Sequence, residues 1–209
     1  MKKYKTIVYV DGFNLYYGVL KGTPYKWLNI DALIKNLLVN NEIISLKYFT
    51  SPVKADSKNI SRRKDQETYI LALQDMIPYF ECIYGYIVER KVNAKHTNPP
   101  PYSVNVSLRE EKETDVNIAV EIVKDSCLKD IDCVVLVSND SDLSRALLIT
   151  RELGKKIILI TPRQKDAKSR ISIRLKKLAD YHFFYINDKV LAKSIFPEHV
   201  GKHIRPRFW

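Results

Sequence analysis

The chain has 209 residues, with 35 Lys or Arg against 24 Asp or Glu and a formal net charge of +11 at pH 7. Its apolar fraction of 45% is enough for one medium-sized domain with its own core and excludes a disordered chain. The basic excess favours a polyanionic partner, with nucleic acid ahead of an anionic membrane.

Two further features concern the compartment. No window approaches the roughly 18 apolar residues of a membrane span, and the N-terminal apolar run breaks at Asp11, too soon for a signal peptide. The three cysteines form no C-x-x-C pair, which is typical of a reducing compartment. We therefore expect a cytoplasmic protein with no membrane partner.

The first half of the chain alternates short apolar strands with amphipathic helices. We predict strands over 5–10, 43–50 and 81–90, and helices over 14–21, over about 30–38, and from just after Ser61 to just before Pro78. Residues 91–108 contain the run Asn98-Pro99-Pro100-Pro101, which is incompatible with regular structure, so we predict a long loop there.

The second half continues the same alternation. We predict helices over 114–129, 142–153 and 169–179, and strands over 133–137, 156–161 and 181–186. This order predicts an α/β fold, an open parallel sheet of five to six strands with helices on both faces. We assign residues 1–188 to this domain and 189–209 to a basic, aromatic C-terminal tail.

Carboxylates follow two of the predicted strands. Asp11 ends the first strand, and Asp140 and Asp142 come just after the fourth. In an open α/β sheet, ligands bind beyond the carboxyl ends of the strands, where the strand order reverses. If the first and fourth strands are neighbours, these acids meet at one edge of the sheet, and Asp115, at the start of the preceding helix, can face the same pocket.

Several carboxylates in one pocket raise each other's pKa, and a divalent cation removes the conflict. Oxygen ligands suit Mg²⁺ or Mn²⁺, and such a metal on a basic protein is the usual setting for phosphodiester hydrolysis. Each acid also has a simpler explanation: Asp142 as a helix N-cap, Asp115 as a first-turn acid, Asp11 as a turn former and Asp140 as a loop residue. Those explanations do not account for all four at one edge of a sheet.

Three blocks of sequence resemble the NYN domain family of PIN-like nucleases, including its bacterial LabA-like branch. They are VDGFNLYYG at 10–18, EKETDVNIAV at 111–120 and VLVSNDSDLSRAL at 135–147, and LKKLADYHFFYI at 175–186 is similar to that family's closing helix and strand. The resemblance covers roughly residues 4–187. It implies a PIN-like sheet and a metal-dependent ribonuclease site.

The resemblance also implies roles for individual residues. Catalytic and metal-binding roles fall on Asp11, Asp115, Asp140 and Asp142, and polar accompanying positions fall on Asn14, Lys112, Ser138 and Asn139. PIN relatives often carry a further acid on an early helix, for which Asp31 and Glu67 are candidates.

The reaction expected from this set is in-line attack on a phosphodiester by a water that Mg²⁺ or Mn²⁺ activates. Asp11 and Asp140 are the expected principal ligands, and Asp115 and Asp142 would support a second metal or its waters. Lys112 would neutralise developing charge, while Asn14, Ser138 and Asn139 would orient water or phosphate.

The expected substrate is RNA, and single-stranded RNA in particular. Basic residues cluster at 62–64, 163–177 and 203–207, and Arg62 and Arg63 in the first cluster are candidate phosphate contacts. Tyr16, close to Asp11, is a candidate for stacking on a base. A homodimer is compatible with the sequence, which offers the Pro-rich run and the aromatic tail as contacts.

Three other interpretations stay open. The first is a catalytically inactive RNA-binding or regulatory module that keeps the fold. The haloacid-dehalogenase pattern needs Asp-x-Asp on the first strand, where this chain has Phe13 at the second Asp position, and Toprim-type sites need Glu in place of Asp11. Both fit less well than a PIN-like nuclease. Neither G-x-G-x-x-G nor a Walker lysine is present, so a nucleotide cofactor lacks support.

Overall fold

The computed structural model describes residues 3–53, 60–207 and 209. Its strands are β1 (Tyr4–Asp11), β2 (Asn41–Thr50), β3 (Phe80–Tyr84), β4 (Tyr86–Lys95), β5 (Ser103–Lys112), β6 (Cys133–Val137), β7 (Lys156–Ile160), β8 (Tyr181–Phe183), β9 (His199–Val200) and β10 (His203–Ile204). Its α-helices are α1 (Gly12–Leu15), α2 (Ile30–Leu37), α3 (Ile60–Met76), α4 (Thr114–Leu128), α5 (Ser144–Glu152), α6 (Ile173–Leu178) and α7 (Asp188–Lys193). A π-helical segment, Tyr16–Leu20, follows α1, and a 3₁₀ turn, Ser141–Leu143, precedes α5.

A six-stranded sheet forms the centre of the molecule, in the order β3-β2-β1-β6-β7-β8. All of its pairings are parallel. The predicted first and fourth strands, β1 and β6, are neighbours, with Val10 opposite Val137. The prediction of an open parallel α/β sheet is therefore confirmed, and the carboxyl ends of its two central strands lie side by side.

Helices cover both faces of this sheet. Ile7 and Tyr9 of β1 point into a core shared with α4, α5 and α6. Val8 and Val10, on the other face of the same strand, belong to a core shared with α1, α2, α3 and α7. Because the central strands are buried on both faces, they read as continuous apolar runs rather than as alternating patterns.

The prediction of a loop over 91–108 was wrong. These residues lie in an antiparallel hairpin of β4 and β5, paired from Tyr86 opposite Lys112 to Lys95 opposite Ser103, and this hairpin is separate from the main sheet. The predicted strand 81–90 is correspondingly two strands, divided at Gly85. The proline run occupies only the tip of the hairpin, so it ends the strands without preventing them.

The chain after residue 188 packs against the central domain. Leu191, Phe196 and Val200 are buried in the same core as Trp27, and the Trp209 ring lies 5.5 Å from that of Tyr69 between ring centroids. In sequence this segment had no evident partner. The structure gives it one, since its apolar side chains complete the core on one face of the sheet.

Two predicted helices begin later than expected. The helix predicted over 169–179 runs only from Ile173 to Leu178, with Ser172 as its N-cap. The helix predicted from Asp142 is preceded by the 3₁₀ turn and begins at Ser144. No helix within the described ranges is long and apolar enough to cross a membrane.

Candidate functional site

Asp11, the last residue of β1, is buried and is also the N-cap of α1. Its Oδ1 accepts the backbone N–H of Asn14 at 2.9 Å, and its Oδ2 accepts the Asn14 amide at 2.6 Å and the Ser138 hydroxyl at 2.9 Å. Burial raises the pKa of Asp11, these hydrogen bonds oppose that rise, and the charge of Asp140 adds to it. The carboxylate is therefore held in one orientation at the edge of the sheet.

The residues after β6 form the neighbouring part of the site. The buried Ser138 hydroxyl accepts the Asp140 backbone N–H at 3.1 Å, so one side chain joins Asp11 to the turn after β6. Asp140 Oδ1 accepts the Asp142 backbone N–H at 2.9 Å. The capping role that the sequence allowed for Asp142 therefore belongs to Asp140, and the Asp142 side chain is exposed.

Asp115 lies in the first turn of α4 and is partly buried. Its pKa is raised to about 6, first because burial disfavours the charged form and then because of nearby acids. Those acids, in order of their effect, are Asp140, Asp11, Glu111 and Asp142. Asp115 is thus close enough to the other three acids predicted from the sequence for their charges to act on it.

Glu111 is a fifth acid of this cluster, and sequence reasoning missed it. Its Oε1 accepts the Thr114 backbone N–H at 3.0 Å, the Thr114 hydroxyl, and the Ser51 hydroxyl at 3.2 Å. A Cβ at Gly85 would stand 2.8 Å from this oxygen and 2.4 Å from the Lys112 carbonyl, so only glycine permits this close approach of the hairpin to α4. The capping-box pattern places its acid three residues after the helix N-cap, whereas Glu111 lies three residues before the first residue of α4, so that pattern gave no signal for it.

The two acids suggested as further ligands from the sequence lie in other contacts. Asp31 accepts a hydrogen bond from Lys35 at 2.8 Å and one from the Tyr79 hydroxyl at 2.6 Å. Glu67 accepts one from Arg63 at 2.7 Å. Neither contributes to the raised pKa of Asp115, which responds to Glu111 instead.

Three predicted substrate contacts lie at the surface. Lys112 is half exposed and pairs with Glu110 at 3.0 Å, on the hairpin rather than among the acids. Arg62 and Arg63 are exposed in the first turns of α3, and Arg63 is paired with Glu67. The partners of Lys112 and Arg63 are therefore acids outside the cluster.

The aromatic residue predicted for stacking, Tyr16, is only partly exposed and packs against the core beside α1. Its neighbour Tyr17 is 62% exposed, with Phe13 stacked at 6.5 Å and Lys21 4.9 Å from the ring centroid. Of the two tyrosines next to Asp11, Tyr17 is therefore the more accessible.

Both the nitrogen and the oxygen of the Asn139 side-chain amide form hydrogen bonds with backbone groups of the chain. Its Nδ2 donates to the Arg170 carbonyl at 2.8 Å, and its Oδ1 accepts the Ser172 backbone N–H at 2.8 Å. Its own backbone N–H donates to Asn14 Oδ1 at 3.2 Å. Asn139 thus joins Asn14, the β6 turn and the segment that precedes α6.

The donor set of the cluster is chemically suited to a hard divalent cation, since it consists of carboxylate oxygens. Burial and then the repulsion among these carboxylates raise the pKa of Asp115. Within residues 3–53, 60–207 and 209, no three acid, His or Cys side chains already converge as a coordination site.

An open parallel α/β sheet with clustered acids at the ends of its two central strands is the architecture of PIN-like proteins. The family model described as NYN domain matches residues 5–187. The chain therefore belongs to the NYN domain family. NYN domains generally act on nucleic acids, so this membership indicates a nuclease-like function.

Two individual proteins are also similar to the chain. One, from Pseudomonas putida (strain DSM 28022 / S16), is named 6-hydroxy-3-succinoylpyridine 3-monooxygenase HspA and is 29% identical over 98% of this chain and 75% of its own length. The other is a solved structure of a protein of unknown function, VPA0982, from Vibrio parahaemolyticus RIMD 2210633. It matches with a TM-score of 0.57 and 20% identity, covering 90% of this chain and 95% of its own, which is a likeness of fold.

Proposed function

We propose that this protein is a metal-dependent ribonuclease that hydrolyses phosphodiester bonds at the acidic cluster. The observation that carries the proposal is the position of Asp11, Asp140 and Asp115 at the carboxyl ends of β1 and β6 and in the adjoining first turn of α4. Burial, followed by the charges of Asp140 and Asp11, raises the pKa of Asp115 to about 6 there. A chain gains no stability from crowding like charges, so such a cluster is expected where a ligand compensates it. Mg²⁺ and Mn²⁺ are the cations whose ligand preference matches these oxygens.

In this proposal Asp11, Asp115 and Asp140 hold the cation, and Asp142 and Glu111 lie next to it. A bound Mg²⁺ or Mn²⁺ would supply Lewis-acid activation of the phosphodiester. Asn14 and Ser138 donate to Asp11 and so keep it oriented and favour its ionised form. Because these donors are occupied by Asp11, we assign them a positioning role rather than the phosphate contact suggested by the sequence.

RNA is the proposed substrate because the chain carries a formal charge of +11 and its family acts on nucleic acids. A single strand is favoured over a duplex because an exposed aromatic side chain, Tyr17, lies two residues beyond the end of α1, near Asp11, and could stack on an unpaired base. A homodimer stays a prediction, which sedimentation of the full chain would check.

The experiment that tests the proposal is incubation with labelled RNA and DNA oligonucleotides in Mg²⁺, Mn²⁺ or EDTA. We expect cleavage of single-stranded RNA that depends on the cation and is abolished by Asp11→Asn or Asp140→Asn. Because Asp11 is buried and accepts three hydrogen bonds, thermal melting must show that each variant is still folded at the assay temperature. Asp188→Asn is the matched control, because Asp188 is an exposed first-turn acid of α7. Cleavage retained by Asp11→Asn would remove that residue from the mechanism.

An inactive RNA-binding module is the main alternative, and titration calorimetry separates the two. A nuclease should bind Mn²⁺ at a site that Asp11→Asn removes, whereas an inactive module should have no such site.

The name of the Pseudomonas putida relative raises oxygenation of a hydroxypyridine as a further activity to assay. Oxygen uptake with such a substrate and an added two-electron reductant, in the absence of RNA cleavage, would favour oxygenation over hydrolysis.

A further inference from the structure

A basic segment follows β7 and leads past the acidic cluster to the first turn of α6. We call residues 163–174 the basic arm. It contains five Lys or Arg residues and one acid: Arg163, Lys165, Lys168, Arg170, Arg174 and Asp166. Because β7 is parallel to β1 and β6, the arm leaves the sheet at the same edge at which Asp11 and Asp140 lie.

Hydrogen bonds of the Asn139 side chain connect the arm to the turn that carries Ser138 and Asp140. This residue stands between Ser138, which bonds to Asp11, and Asp140. Its amide holds the Arg170 carbonyl and the Ser172 N–H, both at 2.8 Å. The backbone of Arg170 is therefore fixed one side chain away from the residues proposed to carry the chemistry.

Other contacts fix the beginning of the arm. The Arg163 carbonyl accepts the Ile186 N–H at 2.9 Å, and the Arg163 guanidinium donates to the Ala167 carbonyl. A Cβ at Gly18 would stand 1.7 Å from the carbonyl oxygen of Pro162, so the π-helical segment after α1 lies directly against the base of the arm. The arm is thus a built part of the site and not a free surface loop.

Four cations of the arm are available to a ligand. Lys165, Lys168, Arg170 and Arg174 are exposed, and in the described part of the chain no hydrogen bond or ion pair engages their side chains. Arg163 differs, since its guanidinium is used within the arm. Exposed cations on a segment whose backbone is bonded to the turn after β6 suit a ligand that is anionic along its length and is cut where a dication is bound.

We infer that the basic arm binds the backbone phosphates next to the scissile one in single-stranded RNA. Arg170 and Arg174 make the phosphate contacts, and Asn139 is a positioning residue that holds the arm, not a phosphate ligand. The inference rests on the proposed function for the place of the scissile phosphate, but the binding itself requires no cleavage. Such contacts carry no sequence information, so they strengthen binding to all RNA sequences alike.

The test measures binding of a fluorescent single-stranded RNA of about 12 nucleotides in EDTA, by anisotropy, over a range of KCl concentrations. We expect Arg170→Ala/Arg174→Ala to weaken binding roughly tenfold and to lower the slope of log Kd against log[KCl] by about 0.7 for each phosphate that the variant no longer binds. The matched control is Lys5→Ala/Lys156→Ala, which removes the same charge at the opposite ends of β1 and β7. It should leave the slope unchanged.

Asn139→Ala separates positioning from direct contact. If Asn139 only holds the arm, the variant lowers the salt slope as the arginine pair does, and adding it to Arg170→Ala/Arg174→Ala causes little further loss. If the triple variant loses as much further affinity as Asn139→Ala loses alone, Asn139 binds RNA itself and its assigned positioning role is wrong. Circular dichroism and thermal melting establish that each variant is folded.

Failure of the inference and failure of the proposed function give different results. If the wild type cleaves RNA and the arginine variant keeps the salt slope of the wild type, the proposed role of the arm in binding is wrong and the proposed ribonuclease activity is supported. Binding that depends on the arm, without metal-dependent cleavage, would support RNA binding by the arm and contradict the proposed ribonuclease activity. If the arm variant and the control weaken binding equally, or if the wild-type protein binds no RNA, the proposed role of the arm is wrong.

Discussion

The Ser138 hydroxyl donates to Asp11 Oδ2 at 2.9 Å and joins the carboxyl ends of the two central strands. The Ser138 hydroxyl oxygen in turn accepts the Asp140 N–H at 3.1 Å. Ser138→Ala removes a donor that favours the ionised form of Asp11 and leaves buried polar groups unpaired. We expect it to raise the pKa of Asp11 further and to lower the free energy of unfolding by about 1–3 kcal/mol. Urea unfolding measures the loss, with Ser141→Ala, in the adjoining 3₁₀ turn, as the control.

Asp115 should make stability depend on pH when no metal is bound. Its folded pKa of about 6 lies above the unfolded value of about 4, so the folded state holds the proton more tightly. The ionised carboxylate therefore costs stability, the cost grows as pH rises from about 4 to about 6, and it is complete above that range. Asp115→Asn in EDTA should be more stable than wild type by about 1 kcal/mol at pH 7.5, after discounting for solvent screening, and equal to it near pH 4.

Denaturant titrations at both pH values check the Asp115 prediction. Asp188→Asn is the control, because Asp188 occupies the equivalent first turn of α7 and its loss should slightly destabilise that helix at neutral pH. A wild type as stable as Asp115→Asn at pH 7.5 would mean that the acidic cluster is not strained without metal.

Glu111 should have separable structural and electrostatic roles. Glu111→Gln keeps an oxygen that can accept the Thr114 N–H, which lies 3.0 Å from Glu111 Oε1 in the wild type. The same change removes one of the charges that raise the pKa of Asp115. We expect unfolding free energy to be nearly unchanged, while metal affinity and cleavage fall. Glu111→Ala should in addition cost about 1 kcal/mol by leaving the start of α4 uncapped. Equal cleavage by Glu111→Gln and wild type would limit this residue to capping.

Divalent cations should stabilise the folded chain. With Mn²⁺ at about 100 times its dissociation constant, the free energy of unfolding should rise by about 2.7 kcal/mol at neutral pH. The gain should shrink as pH falls below about 6, because protons then compete for Asp115. Thermal melting with and without EDTA measures it, and a gain of the same size in Asp11→Asn would locate the cation elsewhere.

Replacing the lysine of a buried ion pair should lower the free energy of unfolding far more than replacing the lysine of a surface ion pair. Lys47 of β2 is almost fully buried and donates to Asp125 of α4 at 2.6 Å and to Glu121. Lys47→Met leaves Asp125 buried without its main cation and should lower unfolding free energy by about 3–5 kcal/mol. Lys35→Met, which breaks an exposed pair with Asp31 at 2.8 Å, should cost at most about 1 kcal/mol.

Part of this fold was predictable because its signals are local. The buried runs at 5–10 and 133–137 and the acids that follow them are contiguous in sequence, and parallel topology alone puts such acids at one edge of a sheet. The hairpin of β4 and β5 was not predicted because the proline run dominated its composition, although Val92 pairs with Val106 on one face of it. A strand pair outside the main sheet leaves only a weak alternating pattern.

The α/β class and the positions of Asp11, Asp115, Asp140 and Asp142 at the ends of strands and helices follow from local patterns, because periodicity and chain breaks act over a few neighbouring residues. The three-dimensional packing was needed to show that Glu111, and not Asp31 or Glu67, acts on Asp115, and that both ends of the Asn139 amide hold the basic arm. Each of these contacts joins segments whose local sequence patterns do not predict that they meet. They form because the packing of the hairpin, α4 and the segment before α6 brings those segments together.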